Sequence, residues 1–254
     1  MRSEVISIAD GIDQIYVGGY VGRGNIAIPG LPYGILEGEL IRRDYGSLDG
    51  TDHTQVHWDD RTGYTPIVNA NGGYQFLGYG VIGNPQPDYV YGVTNTLSYK
   101  WATLRVQFDS QVGGDVFSTT NSTLLGRGIL QETDFDRFVP VVTNGLSADG
   151  TPNTTQTTAN AHYWPNTGVF YDENSIYDAS VMRLREVSLS FVAPKSFLNG
   201  TPFGNASLTL SAQNIWHYAW NTPSGTNFDP EVISYGAGSN ARGFDEMTGP
   251  TAKK

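Results

Sequence analysis

Residues 91–114 read YGVTNTLSYKWATLRVQFDSQVGG, and the alternation within this stretch decides the fold class. Its second half, 103–112, alternates Leu, Val and Phe with Arg, Gln and Asp. Its first half, 91–99, alternates Tyr, Val and Leu with Thr and Ser. A period of two residues is typical of β-strands that have one apolar face. Only residues 100–102 lie between the two halves, so the pattern predicts an antiparallel hairpin.

The same pattern returns nearer the C-terminus. Residues 184–193 alternate Val, Leu and Phe with Glu and Ser, and residues 206–215 alternate Leu and Ala with Ser, Thr and Gln. The connection between them contains Pro, Gly and Asn, which favour turns. We therefore predict a second hairpin, an earlier strand over 33–42 and a short strand over 4–8.

Composition supports a β-rich protein with polar loops. Of the 254 residues, 39% are hydrophobic and 16% are charged, which are both low shares, while 31 are glycine. This balance argues against helical bundles, and the 12% of aromatic residues argues against charged disorder. A net charge of −10 argues against binding to nucleic acid. The absence of cysteine excludes disulfides and thiolate metal sites.

The layout of turns and loops is asymmetric. Long polar stretches cover about 44–87, 115–177 and 218–254, whereas the hairpin turns are short. Outer-membrane barrels combine short turns on one side with long external loops on the other, and carry Tyr and Trp at the strand ends. Alternation alone also fits a soluble sandwich, although strands of about ten residues favour the barrel. The sequence has no apolar run long enough for a transmembrane helix.

Several ordered strings then carry a family resemblance. Residues 80–117 contain Ile82-Gly83-Asn84-Pro85, the segment from Gly92 to Lys100 and the exit Gly113-Gly114-Asp115. Three further strings are VMRLREVSLSFVAPKSF (181–197), LTLSAQNIWHY (208–218) and Phe228-Asp229-Pro230-Glu231. In this order they resemble the last quarter of SusC/RagA-type TonB-linked outer-membrane transporters. Residues 4–13 resemble a strand end of the same family, so the resemblance covers most of the chain.

The resemblance implies an all-β fold, namely an incomplete antiparallel transmembrane β-barrel segment with about 5–7 strands of a 22-stranded barrel. It implies that residues 1–254 are a C-terminal part of the receptor. The plug domain, the TonB box and a signal peptide would lie upstream, and the final aromatic-ended strand is missing after 249–254. The first 25 residues also lack the apolar region of a signal peptide. On these residues alone, the chain is expected to be either cytosolic or a piece of a longer protein.

The implied function is active import of glycans or other large nutrients such as peptides. The implied partners are a SusD-like surface lipoprotein, the TonB–ExbB–ExbD system acting through the missing N-terminal part, and the lipid bilayer. The implied location is the outer membrane of a Gram-negative, Bacteroidetes-like cell. The polar faces of the strands would then line the lumen: Arg105, Gln107, Asp109, Gln111, Ser188, Ser190, Thr209, Ser211 and Gln213.

Aromatic residues in the predicted external loops are candidates for contact with substrate or lid: Tyr163, Trp164, Tyr171, Trp216, Trp220 and Tyr235. Aromatic rings beside Asn, Asp and Gln suit sugar binding and protein docking alike. Packing of one loop against another explains the same residues equally well.

No catalytic, metal-ligating or cofactor-binding residue is predicted. His53 and His57 lack the glutamate of an HExxH site, and the acidic pair Asp172-Glu173 lacks the spacing of a calcium loop. No nucleophile elbow, P-loop or dinucleotide fingerprint is present. The chief alternative is a soluble, secreted β-sandwich that binds carbohydrate. A glycoside hydrolase built on paired carboxylates is a third hypothesis.

Overall fold

The computed structural model describes residues 3–45, 58–166, 171–222, 226, 229–231 and 241–246. Within them the chain is predominantly β, as predicted. The strands are β1 (Ile15–Tyr20), β2 (Arg23–Ala27), β3 (Ile35–Ile41), β4 (Arg43–Asp44), β5 (Thr65–Pro66), β6 (Phe76–Gly83), β7 (Tyr89–Tyr99), β8 (Ala102–Val112), β9 (Asp115–Ser118), β10 (Val141–Val142), β11 (Gln156–Thr157), β12 (Ile176–Asp178), β13 (Val181–Val192), β14 (Ser207–Tyr218) and β15 (Phe244–Asp245).

The helices are few and short: α1 (Thr119–Gly126), α2 (Ala159–Asn166) and α3 (Lys195–Leu198), with 3-10 turns at Trp58–Gly63, Gln131–Thr133 and Asp172–Ser175. None of the described helices combines the length and the apolar character needed to cross a bilayer. Ser118 caps α1, since its hydroxyl accepts a hydrogen bond from the Asn121 amide at 3.1 Å. The same hydroxyl donates to Asp245 at 2.8 Å, which ties β15 to the start of this helix.

The four longest strands form one antiparallel sheet in the order β14-β13-β8-β7, which we call the exposed sheet. Both predicted hairpins are confirmed. In the first, Tyr99 lies opposite Ala102, so the turn is shorter than predicted and consists of Lys100 and Trp101 alone. The second joins β13 to β14 through residues 193–206. Both connections lie at the same end of the sheet, because Phe191 of β13 also lies opposite Ala102.

A register shift interrupts β13. Leu184 pairs with Phe108 and Glu186 pairs with Gln107, so Arg185 is an extra residue relative to β8. Before Arg185, the even-numbered residues of β13 lie on the same face as Phe108. After Arg185, the odd-numbered residues lie on that face. This explains why the alternation predicted a strand only from 184, although β13 begins at Val181.

Most of the other described strands form what we call the packed region. Its main sheet has the order β1-β2-β3-β6, and a smaller sheet has the order β12-β9-β15. The predicted strand over 33–42 is present as β3, whereas the predicted strand over 4–8 is wrong: Glu4 makes an isolated bridge to Pro32. The strands β1, β2 and β6 were not predicted, because glycines interrupt their apolar pattern.

The stretches expected to be loops are more ordered than the sequence predicts. Residues 44–87 contain β6, and residues 115–177 contain β9, α1, α2 and several short elements. Ile82 and Phe117 from these stretches join Leu36, Leu40 and Phe244 in a buried cluster. Much of the third stretch, 218–254, lies outside the described residues.

The sharp exit from β8 depends on two glycines. Gly113 and Gly114 have φ angles of +73° and +85°, which favour glycine over other residues. A Cβ at Gly113 would also lie 2.6 Å from a carboxylate oxygen of Asp88. Gly113 and Gly114 therefore allow the chain to turn where β8 ends.

Candidate functional site

The exposed sheet has an apolar face that no other described element covers. Leu97 of β7 and Leu210 of β14 are 62% and 59% exposed, although leucine is usually buried. The register places apolar residues opposite one another across all four strands. The rows, from the short-turn end, are Tyr99–Ala102–Phe191–Leu208, Leu97–Leu104–Leu189–Leu210, Asn95–Val106–Val187–Ala212 and Val93–Phe108–Leu184–Trp216.

The face is banded along the strands. Aliphatic rows lie in the middle, while Tyr99 and Trp101 lie near the short-turn end and Tyr91, Trp216 and Tyr218 near the other. From Tyr91 to Tyr99 the strand advances eight residues, a length of about 27 Å, or about 21 Å along a membrane normal at a tilt of about 40°. An aliphatic band flanked by aromatic girdles is typical of outer-membrane strands. The polar exceptions on this face are Asn95, at the sheet edge, and Ser110, in the row of Tyr91 and Tyr218.

Such a face is unfavourable in water. Each Å² of apolar surface left exposed forgoes about 25 cal/mol of burial free energy. Monomeric soluble proteins rarely expose a contiguous apolar patch that extends across four strands. The geometry therefore requires another apolar phase or surface against this face.

The opposite face of the exposed sheet is polar. Ser98 and Thr103 form a hydroxyl–hydroxyl hydrogen bond of 3.1 Å, and Ser190 and Thr209 form one of 2.9 Å in the same row. All of the residues predicted to line a lumen lie on this face: Arg105, Gln107, Asp109, Gln111, Ser188, Ser190, Thr209, Ser211 and Gln213. Their grouping on one face matches the prediction, while their contact with a lumen stays a prediction.

A network of charges occupies the polar face at the end away from the short turns. Arg183, which is 5% exposed, donates to a carboxylate oxygen of Asp229 at 2.6 Å. A second Arg183 nitrogen lies 3.6 Å from Asp109. Arg185 bridges Asp109 to Glu231. Two strands and the 229–231 segment are thereby held together by five charged side chains.

The charge of Asp229 is stabilised within this network. Burial alone would raise the pKa of Asp229, because a carboxylate loses hydration there. The hydrogen bond and the positive charge from Arg183 outweigh burial, so that the pKa lies below its ordinary value. Asp229 therefore stays ionised at neutral pH and keeps its segment on the sheet.

The predicted contact aromatics fall into different environments. Tyr171 donates a hydrogen bond of 2.5 Å to the carbonyl of Tyr74, and the ring of Trp164 lies under the guanidinium of Arg127. Tyr163 packs on the ring of Phe135. These three are half-buried within the packed region. Their geometry agrees with the alternative that the loops pack on one another.

The other predicted aromatics lie elsewhere. The placement of Trp216 in a loop is wrong, because β14 continues to Tyr218 and carries the Trp216 ring on the apolar face. Trp216 stacks on Tyr218 with ring centroids 6.2 Å apart. Trp220 follows the strand and is 37% exposed. Tyr235, like His53 and His57, lies outside the described residues.

The acidic pair Asp172-Glu173 is engaged in ion pairs. Asp172 pairs with Arg23, and Glu173 pairs with Arg43 at 2.6 Å. Burial raises the pKa of Asp172, against the opposing charge and hydrogen bond of Arg23. Within the described part of the chain, no group of three His, Cys, Asp or Glu residues is placed to hold a metal ion.

The chain is similar in sequence to two TonB-dependent receptors. No protein-family model matches the chain. TonB-dependent receptor P3 of Formosa agariphila is 28% identical over 160 residues, which cover 58% of this chain and 14% of that receptor. TonB-dependent receptor P26 of the same organism is 27% identical over 182 residues, or 68% of this chain and 17% of that receptor. The resemblance to TonB-dependent receptors is confirmed. The chain spans about a sixth of the length of these relatives.

Two solved structures are similar to this chain. The RagAB peptide importer in its closed-closed state is similar at 15% identity and a TM-score of 0.49, over 86% of this chain and 22% of that one. A second structure of the RagAB peptide transporter has 17% identity and a TM-score of 0.48, over the same shares of the two chains.

The charged network joins two segments that lie far apart in the sequence and that each resemble this receptor family. Arg183 belongs to the string 181–197, and Asp229 belongs to the string 228–231. The sequence did not predict the four charged residues Arg183, Arg185, Asp229 and Glu231 as functional, because no local sequence pattern indicates that their two segments meet. The only sequence signal for this contact was that the segments 181–197 and 228–231 occur in the same order as in the receptor family.

Proposed function

We propose that this chain forms part of the wall of a TonB-dependent outer-membrane importer of large nutrients. One observation carries the proposal: the exposed sheet is apolar on an uncovered face and polar on the other. A lipid bilayer on the first side and a hydrated lumen on the second satisfy both faces. The sequence similarity to TonB-dependent receptors supports the same function, and these relatives are receptors rather than enzymes.

The edges of the exposed sheet fit a larger wall. Within the described residues, β7 and β14 are each paired on one side, and lipid would leave the free backbone groups of the other side unsatisfied. We therefore propose that further strands of the intact receptor continue the sheet on both sides and close a barrel. The number of 22 strands follows from the family resemblance.

The family resemblance extends the proposal to partners and cargo. A SusD-like surface lipoprotein would cover the end of the exposed sheet opposite the short turns, and TonB with ExbB and ExbD would act on an upstream plug. The cargo class is a glycan or a peptide, and the residues on the polar face would contact it or its water. The packed region lies at the end of the exposed sheet opposite the short turns, because β9 begins there directly after β8 ends.

A soluble carbohydrate-binding sandwich is the weaker hypothesis. A sandwich covers the apolar face of each sheet with a second sheet. The described strands of the packed region form their own core around Leu36 and Phe117 and leave the apolar face of the exposed sheet uncovered.

The test replaces Leu97 by arginine in the intact receptor. Position 97 is 62% exposed, so a soluble protein would tolerate the change, whereas a bilayer would disfavour it by about 2–4 kcal/mol near the midplane. Thr96→Arg, one residue away on the polar face, is the matched control. We expect heat-modifiable barrel in the outer membrane to fall for Leu97→Arg alone. Equal assembly of both variants contradicts the proposal.

A further inference from the structure

A cavity of about 350 Å³ lies in the packed region. Two buried arginines, Arg43 and Arg61, line it together with Trp58, Ile82 and Ile176. Small-molecule sites have this kind of size, and combine apolar walls with a few placed polar groups. The polar groups of the wall therefore indicate which ligand the cavity would hold.

Arg61 supplies an unused donor. It is 3% exposed, and its Nη1 donates to the carbonyl of Val81 at 2.5 Å. Its Nε has no hydrogen-bond partner within the described part of the chain. Burial lowers the pKa of Arg61, although the charge of Glu173 opposes that effect. A ligand carboxylate beside this side chain would supply the missing acceptor and a further negative charge.

Glu173 supplies an unused acceptor in the same cavity. Its Oε1 accepts from Arg43 at 2.6 Å, while its Oε2 is buried without a partner among the described residues. Asp115 also lines the cavity, and its carboxylate accepts from the Asn84 amide at 2.6 Å. Two guanidinium groups and two carboxylates cancel in formal charge. A wall of this kind disfavours a bare anion and a bare cation, and suits a ligand that carries both charges.

From this wall we infer that the cavity binds a small zwitterion, namely a free α-amino acid with an aliphatic side chain. The ligand carboxylate would face Arg61, and the ammonium would face Glu173. The aliphatic side chain would pack between Ile82, Ile176 and the indole of Trp58. This site is separate from the polar face of the exposed sheet, and its occupancy does not require transport.

The test measures the binding of three matched probes to the purified intact protein in detergent by titration calorimetry. L-leucine carries both charges, 4-methylpentanoate lacks the ammonium and 3-methylbutylamine lacks the carboxylate. We expect leucine to bind about tenfold or more tightly than either truncated probe, since each has lost one charge-assisted contact. Equal binding of leucine and one truncated probe overturns the assignment. Absence of binding by all three also overturns it and leaves a hydrated cavity.

Variants locate the binding within the cavity. Arg61→Gln is expected to weaken leucine binding about tenfold or more and to leave 3-methylbutylamine unaffected. Arg42→Gln is the matched control, because Arg42 is exposed and does not line this cavity. If near-UV circular dichroism shows that Arg61→Gln is unfolded, Ile176→Phe replaces it and is expected to block the cavity by volume. Unchanged leucine affinity in a folded cavity variant contradicts the inference.

Discussion

The exposed sheet and the packed region place apolar side chains in opposite ways. Leu97 and Leu210 lie more than half exposed on the sheet, whereas Leu36 and Phe117 are fully buried in the packed region. Both regions are built mainly from strands. The comparison teaches that alternation along a strand defines an apolar face but does not identify what covers it.

Charged residues differ between the two regions as well. On the exposed sheet they gather on one face, where Arg183 and Arg185 hold the 229–231 segment. In the packed region, pairs such as Arg43 with Glu173 are buried between elements. The first arrangement suits a sheet with two different neighbours, and the second suits a body that closes on its own core.

The largest expected effect is on the buried core. Phe117→Ala removes a fully buried ring and is expected to destabilise the packed region by about 3–5 kcal/mol. Phe138→Ala removes a ring that is 95% exposed and should change stability little. Hydrogen exchange of β9 amides, monitored by mass spectrometry, measures the difference. Equal protection of β9 in both variants would mean that Phe117 does not hold this core together.

The next effect concerns the charged network. Arg183→Ala leaves Asp229 buried without its main partner, which is expected to cost about 3 kcal/mol and to release residues 229–231. Arg105→Ala removes an arginine that is 46% exposed and lies 3.8 Å from Glu186, and should cost about 0–1 kcal/mol. Limited proteolysis around 229–231 separates the two. Cleavage at the same rate in both variants contradicts a role for Arg183 in anchoring.

A smaller effect tests the second edge of the exposed sheet. If the face of Leu210 contacts lipid, Leu210→Arg is expected to lower the free energy of unfolding of the membrane-inserted receptor by about 2–4 kcal/mol at most. Thr209→Arg, on the polar face, is the neighbouring control. The folded fraction is measured by urea titration of the receptor in lipid vesicles. A loss confined to Thr209→Arg would reverse the assignment of the two faces.

The smallest effect is a pH dependence at Asp229. Its pKa lies below the ordinary value of about 3.9, so its contribution to stability is complete above that pH and is lost as pH falls through the folded pKa. The Glu231 amide donates to Asp229 at 3.0 Å and reports the titration. We expect the amide chemical shift to change below pH 3.9, and to lose this change in Asp229→Asn. A midpoint above 3.9 contradicts the stabilised charge.

The sequence predicted the exposed sheet better than the packed region. The strands β7, β8, β13 and β14 follow from strict alternation, and their ends differ from the prediction by three residues at most. In the packed region, strands such as IYVGGY (15–20) and FLGYGVIG (76–83) are interrupted by glycine. Short strands that pack through a few long-range contacts leave little periodic signal.

The candidate sites were predictable only in part. The faces of the exposed sheet follow from residue parity, which brought all nine polar residues to one side. The network of Arg183 with Asp229 joins residues 46 positions apart, and the cavity joins Arg61 to Glu173 across the packed region. Contacts of this range depend on the tertiary fold and leave no local pattern.

The extra residue at Arg185 fixes which residues of β13 lie on each face of the sheet. Before it, even positions such as Met182 and Leu184 belong to the apolar face, and after it odd positions such as Val187 and Leu189 do. Removing one residue here would turn half of the strand over, and would move Arg183 to the apolar face or Leu189 to the polar face. Insertions or deletions in β13 should therefore be tolerated in pairs, while single ones exchange residues between the apolar face and the polar face.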